Sequence, residues 1–144
     1  MTLGYVLLYV EDVLKSVKFY EDAFGLKQKF VAPSEDGAGS DYAEMDTGGT
    51  TLGFVSHALA GSHGFSYEPT KASGRPAAVE VAFLTHDVQA AFQRAVEAGC
   101  EPMAEPSTKP WGQTVCWVRD RDGFLVEICT PVEPPIAKNP PASE

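Results

Sequence analysis

The sequence predicts an α+β fold in one domain, assembled from two copies of a strand–helix–three-strand (βαβββ) unit. Three observations carry this. Strand-like runs surround one helical period in each half of the chain. The helix caps, glycine stops and hairpin glycines fall at matching places in the two halves. The length, 144 residues, suits a single domain that buries about two-thirds of its unfolded surface without a disulfide or metal.

In the first half, Leu3 to Val10 is an apolar run with β-branched and aromatic members, the mark of a buried strand. Asp12 can then cap a helix on which Val13, Val17, Tyr20 and Phe24 recur at helical spacing. Gly25 stands just past that pattern, where a helix end wants a residue tolerant of positive φ. Lys27 to Ala32 reads as a second strand and Pro33 to Ser40 as a loop. Asp41 to Asp46 and Thr50 to Ser56 read as two strands joined through Gly48-Gly49.

His57 to Ala77 holds no sustained period and reads as a long connector, a length that in a small domain signals mobility or function. The order then repeats. Ala78 to Thr85 is a strand, Asp87 a cap, and Val88, Phe92, Ala95 and Val96 a helical face ended by Gly99. Cys100 to Ala104 is a strand and Glu105 to Trp111 a Pro-containing loop. Gln113 to Arg119 and Phe124 to Thr130 form a hairpin about Asp122-Gly123. Domain boundaries follow: modules over 3–57 and 78–131, a connector over 58–77, and a Pro-rich tail over 132–144.

Overlaying the halves puts Tyr5 on Glu80 and Asp12 on Asp87. One residue of slip later, Gly25 falls on Gly99, Gly49 on Gly123 and Gly53 on Glu127. A sheet with a helix on one face must cover its other face or let it wall a cavity.

Composition narrows the function. Net charge is −9, from 11 Lys+Arg against 20 Asp+Glu, so such a surface repels a polyanion and no nucleic acid partner is expected. No apolar run is long enough to span a membrane, and the first ten residues lack a signal peptide's basic region and cleavage site. The cytoplasm is the expected location. Cys100, Cys116 and Cys129 form no CxxC pair, so reduced, buried thiols are expected. No serine sits in a nucleophile elbow, and no Gly-rich loop cradles phosphate between a strand and a helix.

The segment YVLLYVEDVLKSVKFYEDAFGL resembles the opening of glyoxalase I, bleomycin-resistance proteins and extradiol dioxygenases, the vicinal oxygen chelate superfamily. PWGQTVCWVRDRDGFLVEICTP resembles the closing strands of that superfamily's second module. The resemblance runs from Leu3 to Pro131. It implies paired modules whose mixed sheets curl into an open cup, and a homodimer with each cup at or near the subunit contact. Metal-binding members place ligands on the first and last strand of each module, mostly His and Glu. The corresponding residues here are Tyr5, Gly53, Glu80 and Glu127, the positions that the internal repeat already pairs. Only Glu80 and Glu127 are ligand types; two carboxylates suit a hard ion such as Mg²⁺ held weakly with several waters, and no firmly bound cofactor is expected.

Glu80 and Glu127 each sit between apolar neighbours, so an inward carboxylate there must be paired, hydrated or protonated. Tyr5 is expected on the same interior, with its phenol near Glu80. Trp111 and Gln113 follow Pro110 at what the resemblance makes the mouth of the cup, and Phe54 adds an aromatic on a short strand. Candidate ligand-binding residues are therefore Tyr5, Phe54, Glu80, Trp111, Gln113 and Glu127, with Glu80 and Glu127 also the metal candidates. An aromatic cup with a carboxylate floor favours a flat or cationic molecule, so the leading expectation is a small-molecule binding protein resembling the bleomycin-resistance type, without a firmly bound metal, with drug sequestration as one form of it. The alternative is a lyase, isomerase or dioxygenase-like enzyme using Glu80 and Glu127 through a divalent ion or as a general base.

Overall fold

The computed structural model describes residues 1–132, so the tail expected over 132–144 lies almost wholly outside the described residues. Two modules of identical topology make up the rest. In the first, β1 (Tyr5–Val10) leads to α1 (Val13–Phe24), then β2 (Lys27–Pro33), β3 (Ser40–Asp46) and β4 (Thr51–Ser56). A short helix α2 (His57–Gly61) opens the connector, capped by the Ser56 hydroxyl, which accepts from Leu59 N–H. The second module runs β5 (Glu80–Leu84), α3 (Val88–Glu97), β6 (Glu101–Thr108), β7 (Thr114–Arg119) and β8 (Leu125–Cys129). The sheets have orders β1-β4-β3-β2 and β5-β8-β7-β6, each with one parallel pair between its first and last strands. Tyr5 and Glu80 are the first residues of β1 and β5, and Leu7 pairs with Gly53 as Ala82 pairs with Glu127. The repeat is thus one of register as well as order.

The caps act as their residue types dictate. Asp12 accepts from Lys15 N–H and Asp87 from Ala90 N–H, and Gly25 ends α1 at φ +69. In the first hairpin Gly48 takes the left-handed conformation, at φ +91. One detail departs from the sequence reading. Strand β6 runs on to Thr108 through the segment expected to be a loop. It is an edge strand with two register shifts, and Pro102 and Pro106 fit there because an edge leaves some N–H positions unpaired.

One core serves both modules. The rings of Tyr20, Phe24, Phe54 and Phe83 meet between them, with centroids 4.9–6.4 Å apart. Arg94 of α3 donates to the carbonyls of Asp22 and Glu21 at the end of α1, at 2.9 and 3.3 Å.

Hydroxyl–carboxylate bonds reinforce this contact. The Tyr20 hydroxyl donates to Asp120 Oδ2 at 2.5 Å and the Ser16 hydroxyl to Asp122 Oδ2 at 2.6 Å, joining α1 to the β7–β8 hairpin. Asp120 Oδ1 also accepts the N–H groups of Asp122 and Phe124, both at 2.9 Å, and so shapes the turn. Burial pushes the Asp120 carboxyl up to about 6, against the lowering effect of the Tyr20 hydroxyl and the Phe124 N–H. Arg119 ties the connector down, donating to the carbonyls of Lys71, Gly74 and Gly123. Gly123 has φ +94, and a Cβ there would lie 2.7 Å from the Lys71 carbonyl, so both conformation and space require glycine.

Candidate functional site

Each sheet turns one face to its helix and the other away from it. Alternation along β5 and β8 puts Val81, Phe83, Val126 and Ile128 toward the core and leaves Glu80, Ala82 and Glu127 on the helix-free face. There the two carboxyls come together. Withdrawal from water raises the Glu127 pKa first, with the charge of nearby Glu80 and a hydrogen bond to it adding to the shift. Glu80 Oε2 accepts a 2.6 Å hydrogen bond, but the donor is the indole N–H of Trp117 on β7, not the expected Tyr5 phenol. Trp117 is the register partner of Glu127, so indole and both carboxyls form one array across three strands.

The turn between β6 and β7 rims this array. Trp111 is 65% exposed, and its N–H donates to the Gln113 side-chain oxygen at 2.9 Å. Gln113 in turn donates to the Thr130 carbonyl at 2.9 Å, which staples the turn to the end of β8. Lys109 extends its ammonium over the Trp117 ring, 5.9 Å from the centroid.

Tyr5 stands on the other module's helix-free face, 57% exposed. Its neighbour there is Tyr42, whose hydroxyl donates to Glu44 at 2.8 Å. Phe54 is a correction to the candidate set. It is fully buried against the Tyr20 ring, because its neighbour Gly53 takes the helix-free side and alternation sends Phe54 inward. The six candidates therefore divide: Glu80 and Glu127 belong to one array, Trp111 and Gln113 bond to each other in the turn beside it, Tyr5 lies on the first module, and Phe54 is core. Trp117, Lys109 and Glu44 are not among the residues that the sequence singled out. Period-2 alternation in register with Glu127 was the available signal for Trp117.

The comparisons fit this architecture. The family model of the Glyoxalase/Bleomycin resistance protein/Dioxygenase superfamily matches residues 2–128. The chain belongs to this superfamily. Among solved structures, it is similar to a glyoxalase-related enzyme from Fulvimarina pelagi, with 21% identity, a TM-score of 0.74, and coverage of 91% of this chain and 88% of that one. It is also similar to TioX from Micromonospora sp. ML1, with 25% identity, a TM-score of 0.68, and coverage of 90% and 98%. A protein of unknown function from Agrobacterium tumefaciens str. C58 shares 26% identity at a TM-score of 0.69, with coverage of 91% and 94%. No curated protein matches the chain significantly.

The superfamily's four-ligand metal arrangement can be tested on the residues present. The second position is Gly53, which offers no side chain to a metal, and a Cβ there would lie 3.1 Å from the Ala43 carbonyl oxygen and would require the end of Leu7 to move. Tyr5 occupies the first position. Among the described residues no group of three His, Cys, Asp or Glu side chains is placed to hold a metal ion. The four positions do not fit that metal set.

Proposed function

We propose that this superfamily member binds a small organic molecule, flat or positively charged, on the helix-free face of its second sheet, without a firmly held metal. The array of Trp117, Glu80 and Glu127 carries the reading. An indole face and two carboxyls attract a cation together, more strongly where water is partly excluded. Ionised Glu127 is disfavoured by burial and by Glu80, and a bound cation relieves both. Sequestration of a basic aromatic drug fits this chemistry. A homodimer completes the cup by covering apolar groups such as Tyr5, Leu84 and Trp111, which stand more than half exposed.

Titration calorimetry with matched cationic and anionic aromatics tests the binding reading. Cations should bind more tightly, and replacing Glu80 and Glu127 together by Gln should weaken them by about 1–3 kcal/mol. Equal affinity for both signs would sink it. Sedimentation equilibrium showing only a 15.5 kDa species at micromolar concentration would remove the dimer. The enzymatic alternative draws support from Glu127, whose upward shift suits a general acid or base. Stoichiometric metal after exhaustive dialysis, read by elemental analysis, would favour that alternative.

A further inference from the structure

The binding reading leaves Lys109 unexplained. Its backbone is held in a tight turn: Lys109 N–H donates to the Gln113 carbonyl and Gly112 N–H to the Lys109 carbonyl, both at 2.8 Å. Pro110 fixes φ within the turn, and Gly112 takes φ +93. The turn is anchored by Gln113 to Thr130, as described above, and by the Thr114 N–H bond to the Thr130 hydroxyl at 3.0 Å. The turn fixes the root of the side chain, from which a flexible stem carries the ammonium. It goes to the face of Trp117, and among the described residues it makes no ion pair with a carboxylate.

The ammonium therefore stands where the proposed ligand's positive charge would be drawn. Resting on that reading, we infer that Lys109 is a tethered competitor, a residue that holds the cation position on the Trp117 face and must be displaced before a cationic ligand takes it. A primary ammonium is compact and strongly hydrated, so it is a weak occupant of an aromatic face. Quaternary and aromatic cations lose less hydration on reaching the same face and displace it. Because the tethered ammonium must leave for any cation, it lowers every cation's affinity by the same factor, and the aromatic face itself supplies the preference for quaternary and aromatic cations.

Benzyltrimethylammonium is a suitable probe, followed by NMR of the lysine ε-methylenes and the Trp117 indole N–H. In the free protein the Lys109 ε-methylene should resonate upfield of the other lysines, because of the indole ring current. Probe binding should return it to the ordinary lysine position. Lys109→Met should tighten the probe by about two- to fivefold, the fold-change expected of one exposed cation–aromatic contact. Lys27→Met, which removes the same charge from the exposed start of the first module's outer strand, should change affinity by less than about twofold and controls for net charge. A Lys109 signal at the ordinary position in the free protein overturns the inference. So does probe binding that leaves that signal unmoved, or a Lys109→Met protein no tighter than Lys27→Met; in these cases the binding reading survives. If the probe binds neither wild type nor Lys109→Met, the binding reading itself fails and the inference falls with it.

Discussion

The second module carries two pairs of carboxyls: burial raises both Asp120 and Asp122 in one and Glu127 in the other, and the pairs differ in everything else. Asp120 and Asp122 lie in the β7–β8 hairpin, buried, with both pushed upward by loss of water. Every partner they need comes from the protein: the Tyr20 and Ser16 hydroxyls and two turn N–H groups. Glu127 is likewise raised by burial and by the charge of Glu80, yet Glu80 itself stands exposed at the start of β5, with the Trp117 indole N–H donating to it. The first pair is closed and joins modules; the second is open and faces outward. A raised carboxyl pKa by itself therefore does not mark a site. The count of protein donors separates a structural acid from one left available to a ligand.

The largest expected effect comes from breaking the closed pair. Asp120→Ala strands a buried hydroxyl and two buried N–H groups, each worth about 1–3 kcal/mol when unsatisfied. Urea denaturation should show a loss of about 3–5 kcal/mol, less than a simple sum because relaxation and water recover part of it. A loss below about 1 kcal/mol would mean that the hairpin is not closed as described.

Gly123→Ala attacks the same hairpin through its backbone. A Cβ meets the Lys71 carbonyl at 2.7 Å and the residue is at φ +94, so a loss of about 2–3 kcal/mol is expected by thermal or urea melts. A near-neutral result would separate the connector from the hairpin's stability.

The pH dependence sharpens the contrast. Asp120 is raised in the folded state from 3.8 to about 6, so its favourable contribution is complete below about pH 4 and is lost as pH rises through about 6. Asp120→Asn carries no such ionisation. Wild-type stability should fall relative to Asp120→Asn by roughly 2–3 kcal/mol between pH 4 and 7, by the linkage relation. A flat difference curve would contradict the burial of an ionisable Asp120.

The smallest effect belongs to the open pair. Glu127→Gln removes one of two repelling carboxyls at a partly exposed position, so stability should change by no more than about 0.5 kcal/mol, in the stabilising direction. Cation binding should weaken in the same protein. A large loss of stability from Glu127→Gln would place this pair with the closed one.

Much of the fold was legible because its signals are local. Asp12, Asp87 and Gly25 declare helix ends through their own backbone chemistry, and the repeat multiplied the evidence for each. The pairing of Glu80 with Glu127 was legible for a related reason, since alternation and the repeat put them on one face. Phe54 was misplaced because adjacent residues on a strand cannot share a face, and Gly53 had already taken the helix-free side. The extension of β6 past Pro106 was illegible for another reason. A proline is tolerated in a strand only if that strand lies at an edge, and edge position is a property of the whole sheet.

The sequence by itself determined the two-module order, the caps and turns, the acidic surface and the superfamily. Those depend on residues a few positions apart, or on a pattern repeated along the chain. Only the tertiary structure decided that Trp117, rather than Tyr5, is the donor to Glu80, that Lys109 reaches the same indole, and that Tyr20 and Ser16 close over Asp120 and Asp122. These contacts join side chains from separate strands and helices. Their partners are fixed by strand register and by how α1 seats against the second module, which no local run of residues encodes.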